Sequence, residues 1–339
     1  MNLGSERKAS ILVFTYLTLF LITGRFMPKV FDVIVVSVFI SLMLEPLSNW
    51  FYSKTKRRIF SITVSLLIFY GFVALIVGFL VPVIYEEGRY FIDFVQKFFS
   101  NQEWKTLPYF KNSPDLKQFL ESTMNSVTPS MKSWFSKEIA HFAFSLPSTL
   151  TVMFFSIVGS IYVAYGLKSF KKVAATAFFP MSSFKKVDLF LRVSYKHMQS
   201  YIVGVTIAAL FTAIAMGTFL AFAGIKYSLL LGTWAFITNY IPIVGVFLEI
   251  IPIALSTLMK STTVFIWYWI ILIIVHSAAF IIFVKAVQNQ SKLNPFWMIV
   301  GILLFTQIIG PMGAFVAVPL MILLKDYWDI FIVPYLKTS

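Results

Sequence analysis

Few side chains in this sequence can do chemistry, and the most telling one sits where charge is costly. Glu249 is the only charged residue between Tyr227 and Met259, in the run YSLLLGTWAFITNYIPIVGVFLEIIPIALSTLM. A carboxylate in so apolar a stretch suggests proton or cation handling, because ionising it away from water is expensive. A place near a membrane interface, or a hydrogen bond inside a helix bundle, would accommodate it equally well. Asn239 and Tyr240 precede it at NYIPIVG. Their side chains offer donors and acceptors to a polar solute, or to backbone groups left unpaired by the neighbouring Pro242.

Farther along, His276 lies in the middle of the apolar run Thr262–Val284. It could relay a proton, although a hydrogen bond between helices is the favoured reading. Gln307 stands one turn before Gly310 and could face the same cavity. Gly245, Gly310 and Gly313 supply the backbone freedom that sharp turns need, with close approach of a solute as a second use. Asp32 and Glu45 lie near helix ends, where an interfacial position explains them.

The elements that must hold these residues are long and apolar. The chain has 339 residues, 59% hydrophobic and only 12% charged, with a mean hydropathy of +0.84. Soluble domains carry about 25% charged residues, so the composition is that of an all-α, polytopic membrane protein with the lipid bilayer as its solvent. The absence of cysteine excludes disulfides, thiolate metal sites and cysteine catalysis. The net charge of +14 flanks the apolar runs and is explained by membrane topology, so no nucleic-acid partner is expected. There is no HExxH, GxSxG, P-loop or GxGxxG, and His141, His197 and His276 are too scattered to suggest a metal site. Neither an enzyme activity, a cofactor nor a metal is expected.

Residues 1–85 read as three membrane helices. Ile11–Thr23 and Val30–Leu47 are joined at GRFMPK and closed by Glu45-Pro46, and Ile59–Tyr85 follows the basic cluster Lys54, Lys56, Arg57 and Arg58. The first run resembles a signal peptide after Arg7 and Lys8, but no small-x-small cleavage site follows, so it is read as retained. Residues 86–138 form a polar insert in which seven basic residues balance seven acidic ones. Phe91, Phe94, Val95 and Phe98 give it an amphipathic face that suits packing on neighbouring protein or on the lipid interface. Residues 139–200 hold a fourth span, kinked near Pro147, and a loop at Lys168–Ser200 with a net charge of +6. The basic loop belongs in the cytoplasm and the neutral insert outside, which also places both termini and the Lys54–Arg58 cluster inside.

Residues 201–339 repeat one plan twice: a full span, Tyr201–Ala223 or Thr262–Val284, then an interrupted apolar segment, Tyr227–Met259 or Pro295–Leu324. The 33 residues of the first interrupted segment would make about 50 Å of helix, against about 30 Å of hydrocarbon. That is too long for one span and too short for two. The breaks fall at Asn239–Gly245, where Pro242 disfavours helix, and at Gly310-Pro-Met-Gly313. Each segment could cross once, bent, or fold back as a re-entrant hairpin. Hairpins leave Lys285 and Lys292 in the cytoplasm, and charge and length favour them. Hairpins entering from opposite faces would form an inverted repeat whose tips meet near the midplane, the arrangement that permits alternating access to a small polar solute.

Asn239-Tyr-Ile-Pro-Ile-Val-Gly245, Asn294-Pro295 and Gly310-Pro-Met-Gly-Ala-Phe-Val-Ala-Val-Pro319 resemble the autoinducer-2 exporter family of PerM-type permeases. The likeness extends to Glu45-Pro46, Val81-Pro82 and the basic loop before Tyr201. It implies a bacterial inner-membrane protein with an extramembrane helical insert, forming a homo-oligomer that can be a pentamer. It also implies export of a small polar signal or metabolite, with protons or sodium as coupling ions. A sodium/proton antiporter, and a non-transporting envelope scaffold that binds a partner through residues 86–138, are the alternatives.

Overall fold

The computed structural model describes residues 3–95, 97–98, 118, 122, 148–166, 176–241, 244–287 and 294–336. Among them all regular structure is helical, and no strand occurs. The helices are α1 (Leu3–Phe26), α2 (Pro28–Thr55), α3 (Arg58–Val95), α4 (Ser148–Gly166), α5 (Phe184–Phe222), α6 (Ser228–Thr238), α7 (Val244–Lys260), α8 (Thr262–Val287), α9 (Pro295–Ile309) and α10 (Pro311–Tyr327). A π-helical stretch, Trp328–Ile332, carries α10 into the short α11 (Val333–Leu336). The helices α1 to α5 and α8 are long and apolar enough to cross a bilayer. This is an all-α polytopic membrane protein. Most of the insert and the Pro147 kink lie outside the described residues.

Three expected boundaries shift. Pro46 does not end α2, which runs on to Thr55 and stops where Lys56 turns left-handed at φ 56°. A proline removes the N–H that would reach the carbonyl four residues back, here that of Leu42. Gln199 of α5 supplies a substitute, its Nε2 reaching the Leu42 carbonyl at 3.5 Å and Glu45 Oε2 at 2.9 Å. With the freed carbonyl satisfied from a neighbouring helix, the chain keeps its helical course. Likewise α3 runs through Pro82 without a break at residue 85, and the stretch expected as a loop up to Ser200 is helical from Phe184 onward.

The chain forms two compact units. The first comprises residues 1–73, 151–208 and 281–339. There α2 and α4 meet through small polar side chains: Ser37 Oγ donates to the Ser156 carbonyl at 3.2 Å and Ser41 Oγ to the Ser160 carbonyl at 3.0 Å. Small residues let helices approach closely in lipid, where no hydrophobic force drives them together. A second contact joins α1, the start of α5 and the π-helical stretch through buried Ala9, Val13, Val187, Phe190 and Phe331, bordered by the ion pair of Glu6 with Lys186 at 2.6 Å.

The second unit comprises residues 74–150 and 209–280. Its core joins Met216 and Leu220 of α5, Leu231 of α6, Ile253 of α7, and Tyr268, Leu272 and Val275 of α8. Gly217 and Gly232 face each other where α5 and α6 come closest, and a Cβ on Gly232 would lie 3.1 Å from the Ala213 carbonyl oxygen. The amphipathic face at the end of α3 packs on protein: Phe91 and Phe94 both contact the Tyr227 ring. Glu87 accepts a 2.6 Å hydrogen bond from the Leu230 amide, occupying one of the unpaired donors at the start of α6.

Candidate functional site

Both interrupted segments are helix hairpins. In the first, α6 ends at Thr238, the amide of Ile241 turns back to the Thr238 carbonyl at 2.9 Å, and α7 starts at Val244. Pro242 lies outside the described residues. The arms then run side by side. A Cβ on Gly245 would lie 1.9 Å from the Thr238 carbonyl oxygen, and farther down the arms Trp234 Nε1 donates to the Leu248 carbonyl at 3.0 Å. Moving back along one arm as one moves forward along the other is the register of an antiparallel pair. Only glycine fits at 245. The Leu248 carbonyl is the one that Pro252 leaves without a helical donor, so the indole answers a need created inside α7.

The turn brings polar groups into the apolar core of the second unit. Glu249, one turn into α7, is fully buried. Its Oε2 accepts a 2.6 Å hydrogen bond from Asn239 Nδ2, which also reaches the Ala235 carbonyl at 2.7 Å. His276 Nε2 stands 3.3 Å from the same carboxylate, too poorly aligned for a hydrogen bond. Glu249 Oε1 and the Tyr268 hydroxyl are buried and have no hydrogen-bond partner. Tyr240, at the turn, is half-buried against the Phe236 ring.

A buried carboxylate with one oxygen bonded and the other unused is neutralised cheaply by a proton or a cation, and at high cost by nothing. An imidazole within reach offers the partner for a proton exchange. The unused Tyr268 hydroxyl and Glu249 oxygen could serve a small polar molecule. Among the described residues no group of three or more histidines, aspartates or glutamates could hold a metal ion.

The structure thus brings together Asn239, Gly245, Glu249 and His276. Gln307, Gly310 and Gly313 belong to the second hairpin, in the other unit. There Gly310 (φ 81°, ψ −157°) makes the turn between α9 and α10 in a conformation reserved for glycine, and a Cβ on Gly313 would lie 1.9 Å from the Phe305 carbonyl oxygen. Gln307 is exposed. Tyr268 was missed by sequence reasoning. Its signal was the apolar stripe Tyr268, Leu272, Val275 and Ala279 on α8, buried throughout at helical spacing with one hydroxyl in it. A second carboxylate–histidine pair was also missed: in the first unit, His197 Nδ1 stands 2.8 and 3.1 Å from the two oxygens of buried Asp326.

Comparison with known proteins agrees with this architecture. The family model described as AI-2E family transporter matches residues 10–332. A protein of Thermotoga maritima named "Putative transport protein" is 29% identical over 334 residues, covering 98% of both chains. The Bacillus subtilis protein named "Putative transport protein YrrI" is 24% identical over 303 residues, covering 87% of this chain and 85% of its own. With the model matched across nearly its whole length, this chain belongs to the AI-2E transporter family.

Proposed function

We propose that this protein is a secondary transporter of the bacterial inner membrane that exports a small polar solute by alternating access, drawing on a proton gradient. The observation that carries the reading is Glu249: fully buried at a helix break, with one oxygen held by Asn239 and the other unused. Interrupted helices with loosened backbone are where transporters bind substrate and coupling ions. In this reading a proton enters at Glu249 from one side of the membrane and passes between it and His276. Its arrival and departure alter the bond to Asn239, and with it the turn that closes the hairpin. The solute occupies the space beside the turn, taken up by Tyr240, the Tyr268 hydroxyl and Glu249 Oε1. The basic flanks favour a cytoplasmic position for both termini. The family resemblance suggests a homo-oligomer, up to a pentamer.

The test is flux in proteoliposomes under an imposed proton gradient, read by an enclosed pH-sensitive dye and a panel of isotopically labelled small polar solutes. Wild-type protein is expected to couple inward proton movement to outward solute movement. Glu249→Gln, which keeps the shape and the bond to Asn239, is expected to carry no gradient-driven flux. A Glu249→Gln protein with full, pH-dependent flux would overturn the coupling role.

A further inference from the structure

The end of α3 is joined to the base of the first hairpin at three points, all within the second unit. Glu87 Oε2 accepts from the Leu230 amide at 2.6 Å, with the Leu229 amide beside it. The Phe91 and Phe94 rings lie 5.5 and 5.6 Å from that of Tyr227, whose hydroxyl bonds to Ser256 on α7. The Lys226 ammonium stands 5.2 Å from the centre of the Tyr90 ring. Both arms are thereby tied to α3, α6 directly and α7 through Tyr227. α6 has need of the tie. It is 11 residues long, and Tyr227 at its N-cap offers no side-chain cap. So short a helix is not stable by itself, and its first amides lack partners. Glu87, 143 positions before Leu230, takes the place of the missing cap.

Protons can reach this carboxylate. α3 starts at the basic cluster, and Glu87 lies about 44 Å along it, against about 30 Å of hydrocarbon. No ordinary tilt keeps that position inside the bilayer. Glu87 is half-buried and enters no ion pair among the described residues. Its charge is met by backbone amides at the positive end of α6 alone. The other charged and titratable groups of the region are exposed or held elsewhere. On α3, Glu86 is exposed, Arg89 donates to the Tyr85 hydroxyl and Asp93 pairs with Lys97 at 2.8 Å. Before α6, Lys226 faces Tyr90 and Tyr227 is bonded to Ser256. On α7, Lys260 Nζ donates to the Gly224 carbonyl at 3.2 Å. Up to His276, α8 holds no acid or base except buried Tyr268. A proton on Glu87 therefore removes the one charge that the end of α6 holds.

We propose that Glu87 is a positioning residue that straps the base of the first hairpin to α3 and releases it on protonation. Ionised, it holds the start of α6 against the end of α3. Protonated, it keeps at most a neutral hydrogen bond, and the hairpin base moves away from Tyr90 and Phe91. The pH on that side of the membrane then sets how freely the arms bearing Asn239 and Glu249 can move. The step from hairpin motion to flux rests on the transport reading given above; the strap itself does not.

The experiment uses the full-length protein, whose lack of cysteine leaves any introduced pair as the only thiols. Nitroxide labels are placed at Tyr90→Cys and Lys226→Cys, two exposed positions that touch across the strap. Dipolar broadening of the spectrum is read in nanodiscs at about pH 8 and about pH 4, on either side of the usual carboxylate range. Strong broadening is expected at the higher pH and weak broadening at the lower. Glu87→Gln, which keeps the shape without the charge, should give the low-pH spectrum at both. The share of open strap should rise about fivefold, the worth of one helix cap. Glu86→Gln, next in sequence and exposed, should leave the pH step in place. In proteoliposomes, Glu87→Gln should likewise remove the dependence of flux on the pH at that face. A wild-type spectrum unchanged between the two pH values overturns the proposal, and so does a Glu87→Gln protein that titrates like the wild type. A spectral step without gradient-driven flux in the wild type supports the strap and strikes the transport reading. Flux without the step overturns the strap alone.

Discussion

The two helix hairpins close by the same device and differ in what the device carries. In each, a glycine near the start of the second arm is pressed on a backbone carbonyl of the first, Gly245 on Thr238 and Gly313 on Phe305. In each, the second arm also contains a proline, Pro252 or Pro319. The first hairpin puts a buried carboxylate, an amide and an imidazole within a turn or two of its break. Among the described residues the second has no buried charge at its break. Its buried carboxylate, Asp326, lies near the far end of α10, locked to His197 through both oxygens and followed directly by the π-helical stretch. Glu249 is left with an unused oxygen and a misaligned histidine; Asp326 is left with neither. The scaffold is repeated and its polar equipment is unequal; in the proposed function the first copy handles a ligand and the second holds structure.

The comparison breaks most severely at its shared part. Gly245→Ala and Gly313→Ala each place a Cβ 1.9 Å from a backbone oxygen, a clash that no rotamer relieves. Each should destabilise the protein by about 3 kcal/mol or more, the upper range for overpacking. Yield after membrane extraction and the thermal midpoint should fall together for both variants. A normally folded Gly245→Ala protein would show that the arms can separate, and the close-packed hairpin would not be the stable form.

The next largest effects should divide the two histidines. His197→Leu leaves Asp326 buried without its partner, which costs about 3 kcal/mol and should appear as a lowered thermal midpoint, with flux per folded molecule nearly unchanged. His276→Leu removes a group that makes no aligned hydrogen bond, so stability should shift by about 1 kcal/mol or less while the pH dependence of flux changes. If the two variants behaved alike in both assays, the division into a working and a structural pair would fail.

Within the working pair, Asn239→Leu removes the only hydrogen bond to Glu249 among the described residues. Leaving a buried acceptor unmet costs about 1–3 kcal/mol, so gradient-driven flux should fall about tenfold or more, while a Tyr240→Phe protein stays coupled to the gradient and takes up solute more weakly. Measuring both in the same liposomes sharpens the assignment, because Asn239 holds the carboxylate while Tyr240 packs at the turn on the Phe236 ring.

Much of this was legible in the sequence because the cues were local. The breaks were marked by Pro242, Gly245, Gly310 and Gly313, and flanking charge together with segment length made two arms the better account of each. Asn239 and Glu249 lie ten residues apart on either side of one turn, so folding the turn pairs them. The residues that escaped are those whose partners come from far along the chain. His197 meets Asp326 across 129 positions, and neither stands out in its own helix. Pro46 looks like a helix end until Gln199, 157 positions after Leu42, is seen to serve the carbonyl that the proline frees. A local rule says which backbone group is left over; only the packing says who takes it up.

That last point gives the smallest and most specific prediction, since two prolines are rescued by different side chains. Trp234 donates to the Leu248 carbonyl, freed by Pro252, and Gln199 donates to the Leu42 carbonyl, freed by Pro46. Trp234→Phe keeps an aromatic ring and removes the donor, so it should cost about 1 kcal/mol, the net worth of one hydrogen bond. The same change with Pro252→Ala, which restores the helical N–H to that carbonyl, should cost less than the sum of the two single changes. The coupling reads the shared carbonyl directly. Additive costs would mean that the indole sits by Leu248 for packing alone, and that the first hairpin keeps its bend without help from its neighbour arm.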